Sequence, residues 1–292
     1  MTVKVGFIGF GEVASFLSER LLQNGCSEVY AYDVLLNKEG GIKTIESRAR
    51  VTGIRFADFK TVVENTEYVL STVVTQVAVP VAEECVTFLK AGQVYIDLNS
   101  TAPSVKVNVS EIIKPSGAVF VEGAILGALG ATGADTKILL GGEQAEDATA
   151  VLEGLGLRTS VFSSEIGKAS TFKMLRSIFS KGMEAMLIEL LLAGQCAGID
   201  KELWLDIVET MSKTPFEKTA ANWVQTHAPA CERRYHEMEQ VIETMKEIGV
   251  DPILTIGTTN FLKRSSVVGL NKVLTEKPGT MNEVIGALKK LL

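Results

Sequence analysis

VGFIGFGEVA, residues 5–14, joins an apolar run typical of a β-strand to a helical pattern through a glycine-rich turn. The G-x-G-x-x-A spacing has a physical basis: Gly9 makes the tight turn, Gly11 lets the backbone approach a pyrophosphate, and Ala14 permits close helix packing. The helix that follows would direct its N-terminal amides at the phosphates. The segment therefore predicts a dinucleotide-binding turn, with contacts from Gly9, Phe10, Gly11, Glu12, Val13 and Ala14.

A carboxylate after the second strand-like run strengthens this prediction, because a glycine-rich turn alone is also common as an ordinary connection. The run ends in Asp33, at the distance from Gly9 at which an acidic residue binds the ribose hydroxyls. Asp33 would repel a 2′-phosphate, and Val34 stands where NADP sites often carry arginine. NAD is therefore the expected cofactor. NADP stays open as the second choice because basic residues follow closely, namely Lys38, Lys43, Arg48 and Arg50.

Strand-like and helical patterns alternate along the first part of the chain. This alternation predicts βαβ units, and hence a doubly wound parallel sheet covered by helices on both faces. A helix is also expected over Glu146–Leu155. The expected strands are Val3–Ile8, Val29–Tyr32, Tyr68–Val73, Val94–Leu98, Val119–Val121, Lys137–Leu140 and Ser160–Phe162.

From Ile166 onward the alternating pattern gives way to helical periodicity. We therefore expect an α/β Rossmann-type domain over residues 1–164 and an all-α domain, for substrate binding and dimerisation, over residues 165–292. The expected helices of the second domain are Ser170–Cys196, Glu202–Met211, Tyr235–Ile248 and Met281–Leu291.

Composition narrows the partners and the compartment. A net charge of -6 without a basic stripe argues against nucleic acid. The chain shows no secretory leader and no run of about 20 apolar residues, so no membrane association is expected. Four widely spaced cysteines form no C-x-x-C pair, which favours free thiols in the reducing cytoplasm.

Three further segments carry a family resemblance. Residues 96–103, IDLNSTAP, are similar to a strand-end D-x-S-T-x-x-P segment; residues 122–127, EGAILG, to a D-A-P-V-S-G loop; and residues 167–173, GKASTFK, to a G-x-x-x-x-x-K helix start. Together with the first turn they resemble the β-hydroxyacid dehydrogenase superfamily, which includes 3-hydroxyisobutyrate and 6-phosphogluconate dehydrogenases. Residues 173–177, 227–229 and 233–238 resemble a branch with its own type of C-terminal helical domain.

The resemblance implies roles for individual residues. Lys173 would be the catalytic lysine, and the segment around Asn99 and Ser100, which take the Ser-Thr places, would bring nicotinamide and substrate together. Two departures are Ser177, where the family usually has asparagine, and Leu126, where its loop has serine. The further cofactor contacts expected are Thr72, Val73, Val74 and Asn99, and the substrate contacts expected are Ser100, Gly127, Arg176, Ser177 and His236.

The helix that carries Lys173 combines a polar stripe with an apolar remainder. At about 100° per residue, Lys173, Ser177, Ser180 and Glu184 share one face. We expect this helix to be buried between the domains with its stripe lining a cleft; a solvent-exposed stripe is the alternative. The residues expected on the opposite, apolar side are Leu175, Ile178, Phe179 and Met186.

These features favour a nicotinamide-dependent enzyme that interconverts an alcohol and a carbonyl on a small, anionic metabolite. Lys173 would relay the proton while hydride moves between the substrate and the nicotinamide. An imine reductase is one alternative, although imine reductases often lack this lysine. A redox sensor that binds NAD(H) without chemistry is another, because a Rossmann fold alone does not imply catalysis.

Two features of the second half leave alternatives open. His236 is either a substrate contact or part of a polar surface cluster at a helix start. His227, Cys231 and His236 could be imagined as zinc ligands, but a fourth ligand is lacking and hydride transfer needs no metal, so no metal is expected. The abundance of apolar residues in the helices from Ser170 onward predicts a homodimer.

Overall fold

The first part of the chain folds around one mixed sheet with the strand order β3-β2-β1-β4-β5-β6-β7-β8. The computed structural model describes residues 3–127, 130 and 133–292. The first six strands pair in parallel, β7 is antiparallel to β6, and β8 is parallel to β7. The strands are β1 Lys4–Ile8, β2 Glu28–Tyr32, β3 Ile54–Phe56, β4 Tyr68–Ser71, β5 Val94–Asp97, β6 Val119–Leu126, β7 Lys137–Gly141 and β8 Thr159–Ser163.

Helices cover both faces of this sheet. Along β1, Phe7 packs into one apolar cluster and Ile8 into another, because successive side chains of a strand point to opposite faces. Helix α1 contributes to the first cluster through Leu17, and α3 contributes to the second through Phe59. The helices of this part are α1 Glu12–Gln23, α2 Gly41–Arg48, α3 Phe59–Glu64, α4 Ala78–Cys85, α5 Pro103–Ile113 and α6 Ala145–Gly154, with 3-10 turns at Val34–Asn37, Thr75–Val77, Lys114–Ser116 and Gly133–Asp135.

The rest of the described chain is helical. Its helices are α7 Lys168–Ala197, α8 Asp200–Lys213, α9 Phe216–Glu247, α10 Ile253–Val267, α11 Leu270–Val273 and α12 Met281–Leu291. The chain divides into two compact units, Met1–Ile178 and Phe179–Leu292. The predicted fold class, a Rossmann-type sheet followed by an all-α region, is confirmed.

Several predicted elements and boundaries were wrong. Strand β3 was missed because it is only three residues long and lies at the sheet edge. Strand β6 runs on to Leu126 through the segment that resembles the substrate loop. Helix α9 begins at Phe216, not near Tyr235; Pro229 lies inside it, where proline usually marks an end. Helix α10 was not predicted at all.

Two further properties bear on function. Cys26, Cys85 and Cys231 are buried, whereas Cys196 on α7 is exposed, and all four are free thiols. Within the described residues, no helix combines the length and the apolar content needed to span a bilayer.

Candidate active site

The glycine-rich turn is built as its sequence pattern predicts. Gly9 has a φ of +90°, a conformation that residues with a side chain rarely adopt, and a Cβ there would lie 2.7 Å from the carbonyl oxygen of Thr72. Its amide donates to the carbonyl of Tyr32 over 2.8 Å. Gly11 precedes the first residue of α1, and a Cβ at Gly11 would meet no atom of the described residues within 4 Å. Ala14 is fully buried. The start of α1 is therefore open to a ligand.

Asp33 follows β2 and lies beside this turn. Its carboxylate accepts hydrogen bonds from the amides of Phe10 (2.9 Å) and Leu35 (3.0 Å). Arg48 brings its Nη1 to 4.0 Å from the Asp33 carboxylate and 3.3 Å from the Phe10 carbonyl. Arg50 is directed elsewhere, toward Glu19. Of the basic residues considered from the sequence, Arg48 is thus the one whose guanidinium the structure places next to Asp33.

Asn99 links the ends of two neighbouring strands. Its Oδ1 accepts from the amide of Val73 over 2.7 Å, and its Nδ2 donates to the Ser71 hydroxyl over 2.9 Å. The Asn99 amide donates to Oδ1 of Asp97 over 2.9 Å. The adjoining Ser100 carbonyl accepts from the Thr75 hydroxyl over 3.0 Å. The segments after β4 and β5 are therefore fixed against each other at the carboxyl edge of the sheet.

Lys173, in the second turn of α7, reaches this edge. Its Nζ donates to the Ser100 hydroxyl over 2.5 Å. Both residues line a cleft of about 510 Å³ within the first unit. The predicted site residues that line it are Glu12, Val13, Thr72, Val73, Val74, Asn99, Ser100, Gly127 and Lys173. Four residues that were not predicted line it as well, namely Thr75, Gln76, Leu98 and Ile125.

Three predicted substrate residues do not line this cleft. Arg176 is exposed on α7, and the Ser177 hydroxyl donates to the backbone carbonyl of Lys173 over 3.1 Å. His236 belongs to the second unit, where its Nδ1 lies 2.9 Å from Glu239. The alternative that placed His236 at a helix start was wrong, because His236 lies well inside α9.

The apolar side of α7 was expected to be buried, and within the single chain it is not. Leu175, Ile178 and Phe179 are 60%, 72% and 55% exposed. The prediction of a helix covered on its apolar side is therefore wrong for one isolated chain.

Three charged residues under the site, Asp97, Lys106 and Glu122, are fully buried. Asp97 and Glu122 belong to two of the motif segments but were assigned no role, and Lys106 was missed. The spacing of α5 carried a usable signal for Lys106. Lys106, Val109 and Ile113 stand at i, i+3 and i+7, which places the lysine on the buried face of that helix. In the second half, within the residues that the structure describes, no group of three or more His, Cys, Asp or Glu is arranged to hold a metal ion.

The geometry agrees with a comparison to known families. A model of the NAD binding domain of 6-phosphogluconate dehydrogenase matches residues 4–163, more than half of the chain. The chain belongs to the β-hydroxyacid dehydrogenase superfamily. The superfamily resemblance predicted from the sequence is thus confirmed. A second model, the domain of unknown function DUF1932, matches residues 195–265, within the predicted distinctive C-terminal region.

The chain is also similar to individual proteins. The conserved protein MTH1747, whose structure reveals similarity with 3-hydroxyacid dehydrogenases, is 31% identical, with a TM-score of 0.60 and 91% of this chain and 98% of that one covered. Glyoxylate/succinic semialdehyde reductase 1 of Arabidopsis thaliana is 25% identical over 73% of each chain.

A solved imine reductase, the V8 variant from Myxococcus stipitatus in complex with NAD+, shares the fold with a TM-score of 0.77. Its identity is 17%, over 98% of this chain and 100% of that one. This chain itself has an NAD-binding domain, so its cofactor is a nicotinamide adenine dinucleotide, as predicted from residues 5–14.

Proposed function

We propose that this chain is a nicotinamide-dependent dehydrogenase or reductase that interconverts an alcohol and a carbonyl on a small, anionic metabolite. The observation that carries the proposal is the Lys173 ammonium in contact with the Ser100 hydroxyl, inside a cleft that Val13 and Glu12 of the dinucleotide turn also line. A proton donor and a nucleotide turn meeting in one cleft are what carbonyl reduction requires.

The residues around the turn fit a dinucleotide. The open space at Gly11 and the N-terminal amides of α1 suit a pyrophosphate, and the Asp33 carboxylate suits ribose hydroxyls. Asn99 holds the segments after β4 and β5, which line the same cleft, against each other. When bound, the nicotinamide ring would supply or accept the hydride.

The side chains of the cleft then have distinct tasks. In reduction, Lys173 donates a proton to the substrate oxygen; in oxidation, it accepts one. Ser100, hydrogen-bonded to Lys173, orients the ammonium and offers its own hydroxyl to the substrate. Leu98 and Ile125 contribute apolar walls that limit water around the reacting atoms. The positive charge of Lys173 in the cleft favours an anionic substrate.

Replacement of Lys173 tests this function. General acid–base catalysis contributes about 10²–10⁴-fold, so Lys173→Met should lower kcat by about that factor. The Kd for NADH should stay unchanged, because the lysine is assigned to the substrate. Lys168→Met is the matched control, since this exposed lysine of the same helix pairs with Glu165 and does not line the cleft. Turnover by Lys173→Met within threefold of the parent would move the proton-transfer role elsewhere.

Imine reduction is the second candidate, favoured by the high TM-score of 0.77 with an imine reductase. Lys173 in contact with Ser100 argues for the alcohol–carbonyl reaction. A panel of ketones, aldehydes and cyclic imines with NADH separates the two. NADH binding without turnover on the whole panel would instead favour a redox sensor.

The proposed compartment is the cytoplasm, because the four cysteines are free thiols.

A further inference from the structure

A lysine lies fully buried beneath the loop that carries Ser100. Lys106 donates to the backbone carbonyl of Asp97 over 2.7 Å, and its Nζ lies 3.0 Å from Oδ1 of the same residue. Burial lowers the pKa of Lys106, while the negative charges of Asp97 and Glu122 oppose that shift. A charge this deeply buried is tolerated only with such partners.

The bond between Lys106 and Asp97 closes the loop between β5 and α5. Asp97 ends β5, and its Oδ1 also accepts from the amide of Asn99. Lys106 lies in the first turns of α5, nine positions later. The intervening loop holds Asn99 and Ser100 and is therefore fastened at both of its ends.

Glu122 fixes the start of α7, the helix that carries Lys173. It lies on β6 in register with Asp97 of β5 and is fully buried. Its Oε1 accepts from the amides of Gly167 (2.8 Å) and Ala169 (3.0 Å), and its Oε2 accepts from the Ser170 hydroxyl (2.9 Å). These groups lie at the start of α7, where unpaired amides attract a negative charge. Lys173 follows Ser170 by three residues, so the anchored turn leads directly into the lysine.

A glycine on the next strand leaves room for this carboxylate. Gly141 of β7 pairs with Glu122 in the sheet. A Cβ at Gly141 would lie 2.6 Å from Oε1 of Glu122 and 2.9 Å from its Cγ. Real Cβ atoms essentially never approach so closely, so a side chain at this position would displace the carboxylate from the start of α7.

We propose that Asp97, Lys106 and Glu122 form a buried charge cluster whose role is to position Ser100 and Lys173 against each other for proton transfer. The three are positioning residues and do not touch the substrate. Two carboxylates in register on neighbouring strands each hold one partner of the Lys173–Ser100 contact, and the ammonium of Lys106 sits with them. The proposal rests on the proposed function of Lys173.

Displacement and charge removal test the cluster separately. Gly141→Ala should displace the Glu122 carboxylate, and Glu122→Ala should remove it. Because a misplacement of about 1 Å can cost 10²-fold in rate, we expect both variants to lower kcat at least about tenfold, with the Kd for NADH within about twofold of the parent. Glu122→Gln can still accept the two amide bonds, so it should recover most of the lost kcat.

The second unit offers a matched control. Glu189 accepts from the amides of Leu254 (2.8 Å) and Thr255 (2.9 Å) and from the Thr255 hydroxyl (2.6 Å), which is the same cap at the start of α10. Glu189→Ala should leave kcat within about twofold, so loss of a carboxylate that caps a helix start does not by itself explain the effect. If Glu122→Ala does not fold, Gly141→Ala and Glu122→Gln carry the test.

Amide hydrogen exchange adds a readout that does not depend on turnover. In Gly141→Ala the amides of Gly167 and Ala169 should exchange faster than in the parent, and in Glu122→Gln they should stay protected. If Lys173→Met loses activity while Gly141→Ala and Glu122→Ala keep the parental kcat, the positioning role is overturned. If Lys173→Met keeps its activity, the proposed function fails. In that case, unchanged amide exchange in Gly141→Ala would also show that Glu122 does not fix the start of α7, and faster exchange would show that it does.

Discussion

At the scale of single residues, the cofactor preference depends on two opposed charges that the structure brings together. Asp33 is the acidic residue expected at the ribose, but Arg48 lies 4.0 Å from it. The sequence indicated a basic group somewhere in the following segment. The ion pair between these two side chains could not be read from the sequence, because Arg48 reaches Asp33 only after α2 has folded back toward the turn.

We predict that the chain binds NAD(H) at least about tenfold more tightly than NADP(H), since Asp33 opposes a 2′-phosphate in a partly buried position. Asp33→Ala should shrink this ratio, and Arg48→Ala should enlarge it by removing the only guanidinium seen next to Asp33 among the described residues. Fluorescence titration with NADH and NADPH gives both constants. Equal affinities in the parent would show that Arg48 outweighs Asp33.

At the scale of helices and strands, local periodicity predicted the elements whose own apolar pattern is regular. Helix α7 was expected over Ser170–Cys196 and spans Lys168–Ala197, since its apolar residues recur with the helical period. The first half of α9 was not predicted, and Pro229, a residue type that breaks helices in isolation, lies inside this helix.

The meeting of the cleft residues could be expected from the sequence for a different reason. Asn99 and Ser100 lie in the loop after β5 and Lys173 lies on α7, but the family resemblance already implies that these residues meet. The roles of Glu122 and Lys106 were missed because their partners lie on other elements, and no local pattern encodes the register of β5 with β6.

One contact between helices predicts a pH dependence. His227 of α9 is half-buried, and its Nε2 lies 2.9 Å from the hydroxyl of Ser265 on α10. That hydroxyl donates to the carbonyl of Phe261, which leaves its oxygen available to accept from Nε2–H of His227. Burial, and then the charge of Arg234, lower the pKa of His227 below 6.5.

The lowered pKa of His227 makes the free energy of unfolding depend on pH. Below pH 6.5, His227 binds a proton in the unfolded chain but stays neutral in the folded chain, so the free energy of unfolding falls as the pH drops from 6.5 toward the folded pKa. Above pH 6.5, His227 is neutral in both states and does not lower the free energy of unfolding. We predict that His227→Gln weakens the dependence, as measured by urea unfolding at several pH values. Parallel curves for parent and variant would contradict the assignment.

At the scale of the whole molecule, a single chain exposes many large apolar side chains. On α7 and α8 they include Ile178, Ile188 and Leu205, which are 72%, 61% and 68% exposed. Surfaces of this kind usually mark an interface. The homodimer expected from the sequence therefore stays a prediction, now with named residues.

Light scattering at micromolar concentration should give about twice the chain mass of 31.4 kDa. Introducing a charge with Ile188→Asp or Leu205→Asp should shift the protein toward the monomer, because a buried unpaired charge opposes association. Val107→Asp, at an exposed apolar position on α5, is the control and should leave the mass unchanged. A parent that scatters as a monomer would contradict the prediction.

The uneven burial of the four cysteines gives the chain a built-in attachment point for a probe. Burial raises the pKa of the thiols of Cys26, Cys85 and Cys231, so these sulfurs stay protonated and shielded at neutral pH. Cys196 is exposed near the end of α7. A maleimide dye should therefore attach once per chain without any engineered substitution. The natural sequence can thus carry a single fluorophore for anisotropy or energy-transfer measurements on the native protein.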